Sequence, residues 1–178
     1  LACDLGNAEC ARELISQVIN RYESIDVLVN IAGGFTFKEA KNTEYADIED
    51  MININFKSVF NMTNASLEYL KKSTSGRVIN IGAIGAITAG SGMAAYSISK
   101  SAVMRYTEAL AEEVKSSSLT VNAILPSIID TPQNRFDMPH ADTSSWVTPI
   151  EIVNVMAFLA SEKSTGINGA LIPVKGRV

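Results

Sequence analysis

The stretch GRVINIGAIGAITAGSGMAAYSISK, residues 76–100, decides how the rest of the chain is read. Val78, Ile79 and Ile81 form an apolar run interrupted only by Asn80, the mark of a strand buried on both faces. Glycine and alanine then dominate, and from Ala94 to about Ser116 the pattern is helical. A buried strand, a glycine-rich turn and an amphipathic helix form the repeating unit of a parallel sheet. Tyr96 and Lys100 stand four apart on that helix and so share one face. An ammonium beside a phenol favours the phenolate and lowers its pKa, which suits a general acid or base acting on a substrate oxygen.

The same alternation extends in both directions. Upstream, Asn7 is placed to cap a helix with Glu9 in its first turn, and Ala11, Leu14, Ile15, Val18, Ile19 and Tyr22 make its apolar stripe. IDVLVNIAGG, residues 25–34, is a second buried strand ended by glycines. Thr43, with Glu44 and Asp47 behind it, opens a helix expected to run to about Lys72. Leu1, Ala2 and Cys3 resemble the tail of one more strand. Downstream, LTVNAILPS is a strand stopped by Pro126. Residues 127–147 show no clear period and suggest an irregular loop or lid over about 131–147. Thr148, Pro149 and Glu151 form a capping box for a helix with Ile152, Val155, Met156 and Leu159 on one face, and GALIPV is a last short strand.

This order predicts an α/β fold with a parallel sheet covered on both faces, in one domain spanning 1–178. Ligands of such sheets bind beyond the carboxyl ends of the strands. That singles out Asp4, residues 30–34, residues 82–91 and residues 126–131.

Composition narrows the function. A formal charge of −4, with no basic cluster, gives no reason to expect nucleic acid or an anionic membrane as a partner. The apolar runs are too short to span a bilayer. Cys3 and Cys10 match neither a redox CxxC nor a zinc spacing, and are expected to be reduced thiols in a cytoplasmic protein. With His140 as the single histidine, a His-based metal site or a catalytic triad is not expected.

The motifs DVLVNIAG, RVINIGA…AAYSISKSAV, TVNAILPSIIDTP and GINGALIPVKG occur in the order and spacing of the short-chain dehydrogenase/reductases, and the chain resembles the classical members of that family along essentially its whole length. The resemblance implies a Rossmann-type doubly wound sheet and hydride transfer to or from NAD or NADP, with a small-molecule substrate. It implies Tyr96 as proton donor or acceptor, Lys100 as holder of the nicotinamide ribose and tuner of Tyr96, and Asn55 as support for a proton-relay water. Asp4 and Leu5 would meet the adenine, Asn30, Ala32 and Gly33 would line the cofactor, and Pro126, Ile129 and Thr131 would meet the carboxamide. Ile31 and Ser127 depart from the family pattern. Structural readings stand beside these: Asn30 as a tie between loops, Asn55 as a helix-bending residue, Asp4 as a helix cap. Pairing of two long helices, about 44–72 and 94–116, would give a homo-oligomer, a dimer or tetramer.

Two departures carry weight. The family serine thirteen residues before the tyrosine is Ala83 here, and Thr88 or Ser91 is the available substitute hydroxyl or a solvated loop residue. AGGF, GSGMAAY and residues 124–146 resemble the dihydropteridine reductase branch, which lacks that serine and reduces an already activated pterin. The family's glycine-rich pyrophosphate loop has no counterpart in these residues. The chain is therefore expected to be the C-terminal part of a longer one, lacking the fold's first two strands, about 60 residues upstream. A non-catalytic binding or scaffold protein is the alternative that Ala83 and the missing loop leave open.

Overall fold

The computed structural model describes residues 2–178. Four parallel strands, β1 (Val27–Asn30), β2 (Arg77–Ile81), β3 (Thr120–Pro126) and β4 (Leu171–Val174), lie in the order β1-β2-β3-β4. The strand expected at 1–3 falls partly outside the described residues, and Ala2 and Cys3 join no strand.

Residue alternation across the register sorts the side chains between two helical layers. Leu28, Val78 and Val121 are register partners and face one layer, where they meet Leu70 of α3 (Ser58–Lys72) and Leu110 and Val114 of α4 (Ala94–Val114). Helix α1 (Ala8–Tyr22) lies beside α3, with Ala11 and Ile15 against Met62. Val29, Ile79 and Ile124 face the other side, beneath Ile152 and Leu159 of α6 (Pro149–Ala160). Burial of this apolar surface holds the layers together, at about 25 cal/mol per Å² removed from water.

The local rules place most boundaries. Asn7 caps α1, its Oδ1 accepting from the Glu9 and Cys10 amides at 2.8 and 3.2 Å. Thr148 and Glu151 close the capping box of α6. Two expectations fail. The helix expected from Thr43 begins after Glu44, as α2 (Tyr45–Met51), because the Thr43 hydroxyl donates backward to the Lys38 and Glu39 carbonyls and cannot cap. It then widens into a π-helical turn over Ile52–Lys57 before α3 begins. Residues 127–147 are also more ordered than a loop. They hold the short helix α5 (Pro132–Asp137), a 3-10 turn at Thr143–Ser145 and a bridge between Ile129 and Val147, anchored by buried Trp146 and Val147.

Polar groups also enter the interior. Asn80, at the centre of β2, accepts from Asn30 Nδ2 at 2.8 Å and donates to Thr107 Oγ1 at 2.9 Å, while Asn30 also donates to Thr63 Oγ1 at 3.1 Å. All four residues are buried. Asn80→Ala removes a partner from Asn30 and Thr107 and leaves a cavity; a loss of about 2–3 kcal/mol in urea unfolding is expected.

Candidate active site

The carboxyl ends of the strands open on two neighbouring grooves. One, of about 320 Å³, is lined by Gly33, Phe35, Ile81, Tyr96, Lys100, Pro126, Ile129 and Asn134 among others. The other, of about 810 Å³, is lined by Cys3, Asp4, Leu5, Ala32, Ile54 and Lys57 among others. Three turns build the first: the glycine pair after β1, the start of α4 after the glycine-rich segment, and the Pro126 end of β3.

Tyr96 and Lys100 project from the first two turns of α4 into the same groove, as their spacing predicts. The Phe35 ring stands edge-on to Tyr96, centroids 5.0 Å apart at 75°, and fixes the phenol from the side. Lys100 is buried, and its Nζ donates to the Ile81 carbonyl at 2.8 Å. Burial lowers its pKa from 10.5 to about 8. Burial also raises the Tyr96 phenol above its ordinary value. The lowering expected from a neighbouring ammonium is therefore overturned for the chain by itself: desolvation dominates, and the ammonium donates to a backbone carbonyl.

The lysine has a consequence for stability. An unfolded chain holds the Lys100 proton up to about 10.5, the folded chain only to about 8. Between those values the unfolded state binds more protons, so stability rises with pH; below about 8 the penalty is present in full. Unfolding near pH 7 and near pH 9 should show this rise in the natural chain and its loss in Lys100→Met, with the variant the more stable near pH 7.

Behind the groove, Asn55 sits in the π-helical turn, fully buried. Its Oδ1 accepts from the Gly34 amide at 2.9 Å, and its Nδ2 donates to the Gly34 carbonyl and to Ser99 Oγ, both at 3.0 Å. Ser99 in turn donates to the Tyr96 carbonyl at 2.7 Å. One amide thus ties the glycine turn to the Tyr96 helix. Gly33 has to be small here: a Cβ would lie 2.6 Å from Asn55 Oδ1 and 3.3 Å from Lys100 Nζ.

The other expected residues divide. Ala32, Asp4 and Leu5 line the larger groove. Asp4 Oδ1 accepts from the Gly6 amide at 2.9 Å, closing a turn ahead of α1, and the Leu5 carbonyl accepts from Asn61 Nδ2 at 2.9 Å. Asn30 directs its amide to the side chains of Asn80 in β2 and Thr63 in α3, and not to the neighbouring loops that the structural reading had it tie together. Pro126 and Ile129 line the smaller groove, whereas the Thr131 hydroxyl caps α5 by accepting from the Asn134 amide at 3.2 Å. Ser127 also borders this groove and donates its hydroxyl to the Lys175 carbonyl at 2.8 Å.

Ala83 is buried and offers no donor, and the two candidate substitutes do not replace it: Thr88 and Ser91 are exposed and line neither groove. Three residues that the sequence reading did not single out take part: Phe35, Ser99 and Asn134. Phe35 directly follows the glycines at a strand end, which is the one local signal available for it. Asn134 donates to the Ile129 carbonyl at 2.7 Å, which orients its amide at the groove wall. Among the described residues no helix is long and apolar enough to cross a membrane, and no group of three or more His, Cys, Asp or Glu is placed to hold a metal.

Comparison with known proteins agrees with this geometry. The profile of the family described as short chain dehydrogenase matches residues 1–141. The chain is 30% identical over 174 residues to the 3-oxoacyl-(acyl-carrier-protein) reductase FabG of Thermotoga maritima, covering 93% of this chain and 70% of that protein. It is 32% identical over 181 residues to the acetoacetyl-CoA reductase of Allochromatium vinosum, covering 97% and 74%. A solved structure of ElxO with NADP bound superposes with a TM-score of 0.90 at 25% identity, covering 97% of this chain and 75% of that one.

Proposed function

The chain belongs to the short-chain dehydrogenase family, and from that premise we propose that it serves hydride transfer between NAD or NADP and a small activated substrate, with Tyr96 moving the proton. The observation that carries this reading is the single groove that gathers Tyr96, Lys100 and the glycine turn, with Asn55 tying its walls together.

The residues fit a dinucleotide. Gly33 packs so closely against Asn55 and Lys100 that no side chain fits there, which keeps the turn beside Lys100 to bare backbone. Lys100 Nζ has one protein acceptor, Ile81, and two further protons for ribose hydroxyls. The larger groove beside Asp4 and Leu5 adjoins the same glycine turn through Ala32 and suits the adenine end. A dinucleotide held by these residues would supply or accept the hydride. Tyr96 donates its phenolic proton to the substrate heteroatom that becomes negative, or takes it back in the reverse direction. The neighbouring ammonium of Lys100 stabilises the phenolate that this step creates. Phe35 and Asn134 bound the space for the substrate.

Ala83 shapes the substrate class. With no hydroxyl there to hold a developing oxyanion, an unactivated ketone loses about 10²–10³ in rate relative to an enzyme that keeps such a donor. The reading therefore favours an activated carbon–nitrogen or carbon–oxygen double bond, such as that of an oxidised dihydropterin. Residues 132–146, which contribute Asn134 to the groove wall, would form its lid. Phe56 of the π-helical turn, Phe60 of α3 and Tyr106 of α4 form a part-exposed aromatic cluster, with Phe60 and Tyr106 centroids 5.5 Å apart, which supports pairing of two chains through these helices.

The test follows the absorbance of reduced dinucleotide when the intact natural protein meets two acceptors. An oxidised dihydropterin should be turned over and a 3-oxoacyl thioester should be slower by about 10²–10³. A faster thioester, or no turnover with either, overturns the proposal.

A further inference from the structure

Helix α4 carries Tyr96 in its first turn, yet no side chain caps that end of the helix. The placement of the first turn therefore depends on what packs against the residues just ahead of it. The segment that follows the β1 glycines supplies that packing. The Lys38 amide donates to the Gly92 carbonyl at 2.9 Å. The Phe37 ring rests on Gly92 itself, where a Cβ would stand 2.5 Å from Phe37 Cε2 and 2.6 Å from its Cζ. Gly92 also has φ +73°, a left-handed conformation that glycine adopts without steric cost. Two positions before Phe37, Phe35 makes its edge-on contact with Tyr96. The far side of the segment is anchored toward α2: Lys38 Nζ pairs with Asp47 at 2.7 Å, and the Lys38 carbonyl accepts from the Thr43 hydroxyl at 3.2 Å. Residues 35–38 thus form a clasp over Gly92 and Tyr96.

We propose that Phe37 is a positioning residue for the proton transfer: seated on Gly92, it holds residues 35–38 so that the Phe35 ring stands against the Tyr96 phenol. The inference rests on the reading of Tyr96 as the group that moves the proton. Phe37 lines neither groove, so it acts through Phe35 and not on the substrate. Phe37 is 62% exposed, and its truncation uncovers little apolar surface. A role in stability alone would therefore be small. Alignment is the larger effect, because a misplacement of about 1 Å at a reacting group costs about 10² in rate.

Two measurements on the intact natural protein test this. The first is the NMR spectrum of protein labelled in its tyrosine rings. Of the five tyrosines, Tyr96 is the signal missing from Tyr96→Phe. Phe35→Leu removes the neighbouring ring current and defines the full displacement of the Tyr96 signal. Phe37→Ala should displace it in the same direction, with little change in the urea midpoint of unfolding. The second measurement is turnover of an oxidised dihydropterin by reduced dinucleotide. Phe37→Ala should lower kcat by about 10- to 100-fold and leave dinucleotide affinity unchanged. In a Tyr96→Phe background the same substitution should cost less than about twofold, because the hydroxyl it positions is already gone.

An unmoved Tyr96 signal, an unchanged kcat, or an equal loss in both backgrounds would overturn the proposal. Natural turnover in Tyr96→Phe would overturn the proposed role of Tyr96 and this inference with it. If no form of the protein turns over the pterin, the proposed function fails, while the Tyr96 signal still decides whether Phe37 positions the phenol.

Discussion

Tyr96→Phe is expected to lower kcat by about 10²–10⁴ in the intact natural protein, the usual contribution of a positioned general acid or base. Dinucleotide affinity should change little. The phenylalanine keeps the ring that packs edge-on against Phe35, and removes only the hydroxyl. Nothing in the backbone tie is disturbed, because Ser99 donates to the Tyr96 carbonyl and not to its side chain. Steady-state rates and a calorimetric titration check the two halves separately. Unchanged turnover would remove Tyr96 from the chemistry, and a parallel loss of affinity would make it a binding residue. The raised phenol adds a pH signature: in the free enzyme its proton is retained well into the alkaline range, so the donor form does not become limiting at neutral pH.

Gly33→Ala should be the most damaging small change at the site. The added methyl would stand 2.6 Å from Asn55 Oδ1, closer than real contacts allow, and 3.3 Å from Lys100 Nζ. Asn55 cannot retreat while holding both the Gly34 amide and the Ser99 hydroxyl. Overpacking of this kind costs about 1–3 kcal/mol of stability. Displacement of Lys100 and the glycine turn by up to an ångström should add about 10² in lost turnover. A second change, Asn55→Ala, removes the atom that is struck. The double variant should therefore recover part of the stability lost by Gly33→Ala, a non-additivity that independent sites would not show. Urea unfolding of the two single variants and the double variant measures it.

How much of this was legible from the residues depends on whether a feature is local. The strands at 27–30, 77–81 and 120–126 stood out because apolar residues run almost without a break; the latter two are buried as expected, whereas β1 is only part-buried, with Val27 exposed, because it is an edge strand of the sheet. The caps at Asn7 and Thr148 are short-range hydrogen bonds that a few residues specify. Tyr96 and Lys100 met because four residues make one helical turn. Features set by tertiary contacts were hidden. The π-helical turn at Ile52–Lys57 goes with Asn55 bonding to Gly34, twenty-one positions away, and a hydrophobic pattern carries no trace of that bond. The direction of the Tyr96 shift was misread because spacing places an ammonium nearby but says nothing of desolvation. Asn30 could be placed at a strand end, but only the register with Asn80 shows that its amide points inward.

The central claim is that Tyr96 and Lys100 stand over a bound nicotinamide dinucleotide, and calorimetric titration of the intact natural protein with NADPH and NADH tests it most directly. Saturable binding of one or both, one per chain, is the predicted result, weakened by Lys100→Ala and preserved in Tyr96→Phe. Absence of binding to either dinucleotide, or binding indifferent to Lys100→Ala, would contradict the account.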